Sequence, residues 1–281
     1  MRDANLHTKG LPFLKMHGLG NDFVVIDARG AENPITSAIA KAIGKRSKGV
    51  GFDQLAVILT DSESDAHLIF YNADGSLSAA CGNATRCIAR LIMMETGQCN
   101  LTLRTQRGIL ACEDAGSGLT RVNMGQPIFD WQSIPLAKDV DTLELPIEGA
   151  PSAMGMGNPH CTFIVDDAET VDLVALGARY ETHELYPMRT NVEFISLLGA
   201  DEIRMRIWER GVGVTMASGS GSCASAVTAA RRGLTGRKVK VHTDGGVLEI
   251  DWRDDGVWMT GPTMLVFSGE FSAQFMSSID G

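Results

Sequence analysis

Gly18-Leu19-Gly20-Asn21 returns later in the chain as Gly155-Met156-Gly157-Asn158, an offset of 137 residues between Gly20 and Gly157. A lone G-x-G-N match carries no weight, but the same offset relates Gln54 to Asn191, Asn72 to Glu209 and Cys81-Gly82 to Ser218-Gly219. Thr105-Gln106-Arg107-Gly108 matches Thr243-Asp244-Gly245-Gly246 at an offset of 138. Val122-Asn123-Met124 and Pro127 match Val257-Trp258-Met259 and Pro262 at 135. Landmarks in one order with so little drift mark an internal duplication. Two repeats are too few for a solenoid, so they predict a pseudo-symmetric pair of domains with a cleft between them. The expected domains are residues 1–130 with a C-terminal tail 264–281, and residues 131–263. The spacer Ile128–Pro146 is the expected crossing point. The tail after Pro262 has no counterpart and is expected to return to the first domain.

A chain of 281 residues is long enough for two domains with real cores. Hydrophobic residues at 44% and charged residues at 21% are ordinary for a globular protein and exclude disordered, collagen-like and small disulfide-rich classes. The net charge of -9 argues against nucleic acid as a partner, because phosphate binding wants clustered Lys and Arg. No apolar run approaches the roughly 18 residues of a membrane helix. The opening MRDANLHTKG lacks a signal-peptide core, so a cytoplasmic protein without membrane contact is expected. In that reducing compartment the six cysteines are expected to be mostly thiols.

Short runs rich in β-branched and aromatic residues predict strands at Phe23–Asp27, Leu55–Leu59, His67–Tyr71, Cys161–Val165, Val192–Leu197 and Ile203–Trp208. Ala84–Thr96, with Cys87, Ile88, Leu91 and Ile92 on one face, predicts a helix closed by Gly97. Ala-rich Ser222–Arg232, closed by Gly233, predicts its counterpart. Strands dominate, with one main helix per repeat. The fold class is therefore α+β: two pseudo-symmetric domains, each a curved, mostly antiparallel sheet around a central helix.

The sharpest chemical signal is Ala80-Cys81-Gly82-Asn83-Ala84-Thr85-Arg86-Cys87 at a loop-to-helix junction. A thiol beside unpaired helix N–H groups and the positive end of the dipole is favoured as thiolate, and the same N–H groups can grip a carboxylate. Ser218-Gly219-Ser220-Gly221-Ser222-Cys223 offers an equivalent nest of donors, so two helix starts are expected to hold one small carboxylate between residues 81 and 218. The competing reading of Cys81 is a small buried hydrophobe, which is how Cys87 and Cys223 are read; Cys99 and Cys112 carry no signal. Asn72 and Glu209 each lie nine residues before these positions, and Arg210 brings a fork suited to a carboxylate, against the reading of Glu209-Arg210 as a solvated pair. His160 falls where the first repeat has Phe23, a break in the duplication that suits either a structural histidine or one that tunes a thiol. Zinc spacings, a phosphate-binding P-loop and a dinucleotide fingerprint are all missing, so no metal or nucleotide is expected. No lysine stands out as a pyridoxal-phosphate anchor, though one sequence does not exclude it.

Met16-His17-Gly18-Leu19-Gly20-Asn21-Asp22-Phe23 resembles the opening of the diaminopimelate epimerase family, as do Asn72-Ala73-Asp74-Gly75-Ser76, Cys81-Gly82-Asn83, Gly157-Asn158-Pro159-His160 and Glu209-Arg210-Gly211. The resemblance runs through nearly the whole chain in order. It implies a two-domain fold of the proline-racemase type that works without a cofactor, in a homodimer, interconverting LL- and meso-diaminopimelate for lysine and peptidoglycan synthesis. In that family two cysteines flank the α-carbon, one as thiolate base and one as thiol acid. The resemblance implies Cys81 and residue 218 as this pair, with His160 and Glu209 beside the reacting amino group. It also implies that backbone at Gly82-Asn83 and Gly219-Ser220 holds the reacting carboxylate, while Asn21, Gln54, Asn72, Asn158, Asn191, Glu209 and Arg210 bind the rest of the substrate.

One departure matters: the family's second cysteine is Ser218 here. A serine hydroxyl is a much weaker acid than a thiol and is almost never an alkoxide without an activating base. The family's glutamate three residues after Gly211 is Val214 here. Three explanations stay open: an engineered substitution, a natural serine that keeps epimerase activity, or drift to another activity. The alternatives to epimerisation are a one-base lyase or dehydratase, a racemase of another amino acid, and a non-catalytic amino-acid binder. Retention of Cys81 and His160 counts against the binder, since binding alone needs neither. Cys223 is more than one helical turn beyond residue 218 and is not expected to replace it.

Overall fold

Branched apolar residues decide where the sheets lie. In the computed structural model, which describes residues 10–79 and 81–279, Phe23, Val24, Val25 and Ile26 are buried along strand Asn21–Asp27. Leu55, Ala56, Val57 and Ile58 are buried along the neighbouring strand Gln54–Leu59. Strands buried on both faces read as continuous apolar runs, and these two pair in parallel with Phe23 opposite Gln54. In the second half Pro159–Ile164 and Asn191–Gly199 pair in parallel with His160 opposite Asn191, the same register displaced by 137 residues at both positions.

The repetition extends through each half. Leu55 lies opposite Tyr71 as Val192 lies opposite Trp208, both in antiparallel pairs. Tyr71 faces Leu77 as Trp208 faces Val214. Ala66 meets Leu103 in parallel as Ile203 meets Val241, and the hairpins close at Thr105–Gly108 and Thr243–Gly246. Each half therefore combines antiparallel hairpins with parallel crossovers, in line with an α+β fold.

Of the described residues, one compact unit comprises residues 10–18, 22–120 and 262–279, and the other residues 19–21 and 121–261. The crossing lies at Thr120–Arg121, ten residues before position 130, because Met124 and Gly125 already pair with Val257 and the isolated bridge of Ile128 joins Gly155. The tail strand Met264–Phe271 pairs antiparallel with Leu11–Gly18. Phe13 stacks on Phe271 at 4.4 Å between ring centroids.

Helix Gly82–Thr96 packs on strands Leu11–Gly18, Asn100–Thr105 and Gly108–Gly116. Cys87, Ile88 and Ile92 are buried along it, Leu91 only in part. It ends as expected at Gly97, which adopts the left-handed φ of 75° that glycine takes without strain and donates to Met93 O. Helix Gly219–Arg231 packs against strands of the second half and begins three residues earlier than Ser222, because the glycines and serines before it form the first helical turn. The expectation of one main helix per repeat is incomplete. Each half has a second, shorter helix, Ser37–Gly44 capped by Thr36 and Leu173–Glu181 capped by Asp172. Runs of eight or nine residues carry too little periodicity to announce themselves.

Candidate active site

The chemistry of each half gathers at the start of its main helix. Cys81 is the N-cap of Gly82–Thr96: its backbone is extended and its Sγ accepts from Ala84 N at 3.4 Å. Its carbonyl receives Thr85 N and Thr85 Oγ1, each at 2.8 Å. Ser218 caps Gly219–Arg231 in the same way, with Oγ accepting from Gly221 N at 3.3 Å and Ser222 Oγ donating to its carbonyl at 2.8 Å. A cap of this kind leaves the next backbone N–H groups, those of Gly82-Asn83 and Gly219-Ser220, at the positive end of a helix where an anion is favoured. Ala80, the first residue of the motif singled out in the sequence, lies outside the described residues.

In the first unit, Gln54 Nε2 donates to Asn72 Oδ1 at 3.2 Å and to Ser78 Oγ at 3.0 Å, which ties together two of the expected substrate-binding side chains. Asn72 also donates to Ser76 Oγ. Asn83 is buried and accepts from Arg86 Nη1 at 2.9 Å, so its side chain braces the helix start. Arg86 itself is wholly buried and reaches Pro262 O, which anchors the helix to the returning tail. Asn21 opens strand Asn21–Asp27 but falls with the second unit.

The second unit is built differently. Glu209, at the end of strand Glu202–Glu209, accepts from Ser218 Oγ at 2.9 Å on Oε2 and from Thr215 Oγ1 at 2.6 Å on Oε1. Burial lifts its carboxyl above the ordinary value, while those two hydrogen bonds and the neighbouring His160 pull against the rise. The reading of Glu209-Arg210 as a solvated pair is corrected: the carboxylate turns to Ser218, and only Arg210 is exposed. Arg210 N donates to Asn191 Oδ1 at 2.9 Å and its guanidinium to Met188 O, while Asn191 Nδ2 donates to Pro159 O. His160 is wholly buried, with Nε2 2.9 Å from Asn158 Oδ1; Asn158 Nδ2 in turn donates to Ser220 Oγ at 3.3 Å.

Sequence reasoning missed three participants. Thr215 shares Glu209 with Ser218. Glu181, buried on the shorter helix, accepts from Trp208 Nε1 and Gly211 N and so holds the turn that carries Arg210. Glu193 accepts from the His160 ring at 2.6 Å. The one available signal is Glu193 itself, a lone charge in the otherwise apolar run Val192-Glu193-Phe194-Ile195.

No disulfide joins any of the six cysteines. Burial pushes the Cys87 thiol up to about 11 and those of Cys112 and Cys161 higher still, so none of these three is poised to ionise. Among the described residues no group of three or more His, Cys, Asp or Glu side chains is placed to hold a metal ion, and no helix is long and apolar enough to cross a membrane.

The fold has relatives among solved structures. A hydroxyproline epimerase from Agrobacterium vitis superposes with a TM-score of 0.69 at 13% identity, covering 95% of this chain and 94% of that one. A phenazine biosynthesis protein of the PhzF family from Bacillus anthracis does so at 0.69 and 14%, covering 94% and 99%. These likenesses define a class, the duplicated α+β fold that such proteins share. The sequence model of the family described as diaminopimelate epimerase matches residues 13–129 and 152–266, one stretch in each repeat. Diaminopimelate epimerase of Rhodospirillum centenum is 51% identical over 267 residues, 92% of each chain. That of Acidiphilium cryptum is 48% identical over 272 residues, 95% of this chain and 98% of that one. The chain belongs to the diaminopimelate epimerase family, and it is an isomerase of that family.

Proposed function

We propose that this protein interconverts LL- and meso-diaminopimelate by moving the α-proton, with Cys81 and Ser218 as the two proton carriers, no cofactor, and a place in lysine and peptidoglycan synthesis. The observation that carries the reading is the matched capping of the two helix starts: a thiol and a hydroxyl occupy the same position in the duplication, each followed by backbone donors suited to a carboxylate. An amino-acid α-proton is very weakly acidic, so the developing carbanion needs such preorganised donors in a site that excludes water. The reading requires both helix starts to serve one substrate.

The steps differ by direction. When Cys81 is the base, its thiolate takes the α-proton, and Ser218 returns a proton to the opposite face of the carbanion. The serine oxygen then recovers a proton from Glu209. When Ser218 is the base, the α-proton passes to Oγ as the hydroxyl proton passes to Glu209 Oε2, and the Cys81 thiol protonates the other face. Glu209 is thus the group that makes a serine workable at this position. Asn72, Asn191 and Arg210 are read as binding the distal end of the substrate, and Asn21, Gln54 and Asn158 as flanking it.

A second reading is favoured by one observation: the Ser218 hydroxyl donates to a carboxyl group that burial holds toward its protonated form, a poor starting point for a base. In that case Cys81 acts alone, and the reaction is a one-base elimination or exchange. LL-diaminopimelate in deuterium oxide separates the two. Deuterium at the α-carbon with meso product supports epimerisation; deuterium with retention supports the one-base reading; no exchange removes both.

We read the protein as cytoplasmic and as a homodimer. Self-association is supported by Met264, Leu265, Val266 and Phe267, consecutive residues of the tail strand that are each about half exposed. Light scattering on Val266→Asp, expected to give a monomer from a dimeric parent, tests it.

A further inference from the structure

In the first half of the duplication, Phe23, Val25 and Ala56 are buried neighbours on paired strands. The matching positions of the second half are His160, Thr162 and Glu193, and they too are wholly buried. Packing alone was already served by the apolar set. A carboxylate taken out of water loses hydration that its partners must replace, and a buried polar pair rarely stabilises more than the hydrophobic set it replaces. The replacement therefore calls for a use.

The contacts indicate one. Glu193 Oε1 lies 2.6 Å from His160 Nδ1, and Glu193 Oε2 accepts from Thr162 Oγ1 at 3.2 Å. Parallel register sets Thr162 beside Glu193 and His160 beside Asn191, and side chains two apart share a face of the sheet. Glu193 also lies under the first turn of helix Gly219–Arg231: a Cβ on Gly221 would stand 3.2 Å from Oε1. The carboxylate thus has an imidazole, a hydroxyl and the positive end of a helix as partners. Because Nδ1 is committed to Glu193, the other ring nitrogen is turned to Asn158, and Asn158 reaches Ser220 beside Ser218.

We propose that Glu193 is a positioning residue of the active site: it holds His160 by Nδ1 and so aims Nε2 and Asn158 at the helix start where Ser218 works. The inference rests on the reading of His160 and Ser218 given above. It assigns Glu193 no contact with substrate. A carboxylate in this place is the usual way an imidazole is fixed in one tautomer and one orientation.

Glu193→Gln in the full-length enzyme, with its histidines labelled with nitrogen-15, is the test. Expected are displaced ring-nitrogen signals of His160, a kcat for meso formation lower by about ten- to a hundredfold, and a KM within about twofold, as loss of alignment away from the bound groups would produce. Unchanged His160 signals overturn the proposal, as do an unchanged kcat or losses in kcat and KM that follow the unfolding midpoint. If Glu193→Gln does not fold, Thr162→Val removes the second anchor of the carboxylate and is expected to displace the same signals less far. If the wild-type enzyme leaves diaminopimelate untouched, the substrate reading fails on its own, and the His160 signals alone decide the role of Glu193.

Discussion

Ser218 Oγ donates to Glu209 Oε2 over 2.9 Å, so the hydroxyl that caps the second main helix has a carboxyl group at hand to trade protons with. In the first repeat, Asn72 stands at the position that corresponds to Glu209. In the proposed mechanism a thiol and a hydroxyl are the two proton carriers, so they are unequal, and the inequality is open to measurement.

Ser218→Cys places a more acidic group at the same cap. With the thiolate accessible near neutral pH, kcat for meso formation is expected to rise about tenfold or more. Ser218→Ala is expected to lose meso formation by at least about a hundredfold while Cys81 still exchanges the α-proton. A racemisation assay run with deuterium incorporation distinguishes these outcomes, and equal rates in all three proteins would remove Ser218 from the mechanism.

Glu209 carries a pH signature in stability. Burial raises its carboxyl in the folded protein, whereas the unfolded chain titrates near about 4.3. Between those values the folded state binds the extra proton. The stabilisation is therefore complete below the unfolded value and is lost as pH rises through the folded one. Glu209→Gln abolishes that term, so its thermal midpoint should fall less than that of the wild type as pH climbs from about 4 toward neutrality. Parallel midpoint curves would contradict the assignment.

Cys81 and Cys99 are the accessible thiols, while Cys87, Cys112, Cys161 and Cys223 are buried. Brief alkylation followed by peptide mapping should label Cys81 and Cys99 and spare the other four. Diaminopimelate should protect Cys81 and leave Cys99 unchanged. Cys81→Ala should abolish meso formation and the α-deuterium exchange that persists in Ser218→Ala; exchange from both isomers that the substitution leaves unchanged would show that Cys81 is not the base.

Gly221 lets helix Gly219–Arg231 settle against the sheet, since a Cβ there would stand 2.5 Å from Ile207 Cδ1 and 3.2 Å from Glu193 Oε1. Gly221→Ala gains up to about 1 kcal/mol in helix propensity. It is nonetheless expected to lose about 1–3 kcal/mol of stability from overpacking. Denaturant unfolding checks the net sign, and an unchanged midpoint would mean that the helix start is free to shift.

Much of the architecture was legible because its causes are local. Apolar runs marked the strands Asn21–Asp27 and Asn191–Gly199, and Gly97 marked a helix end through a backbone conformation that other residues adopt at a cost. The helices Ser37–Gly44 and Leu173–Glu181 escaped because one face of two turns resembles any short mixed segment. Cys81 and Ser218 were visible as a pair because duplication repeats them at one offset in otherwise similar surroundings.

By itself, the amino-acid order determined the twofold repetition, the α+β class and the residues at the two helix starts, because each depends on spacing along the chain. The tertiary structure alone decided who partners whom. His160 and Glu193 are 33 residues apart, and nothing in either neighbourhood names the other. Parallel register between their strands sets them within one hydrogen bond, and burial then leaves each dependent on the other, since a charge removed from water has to find its partner inside the protein.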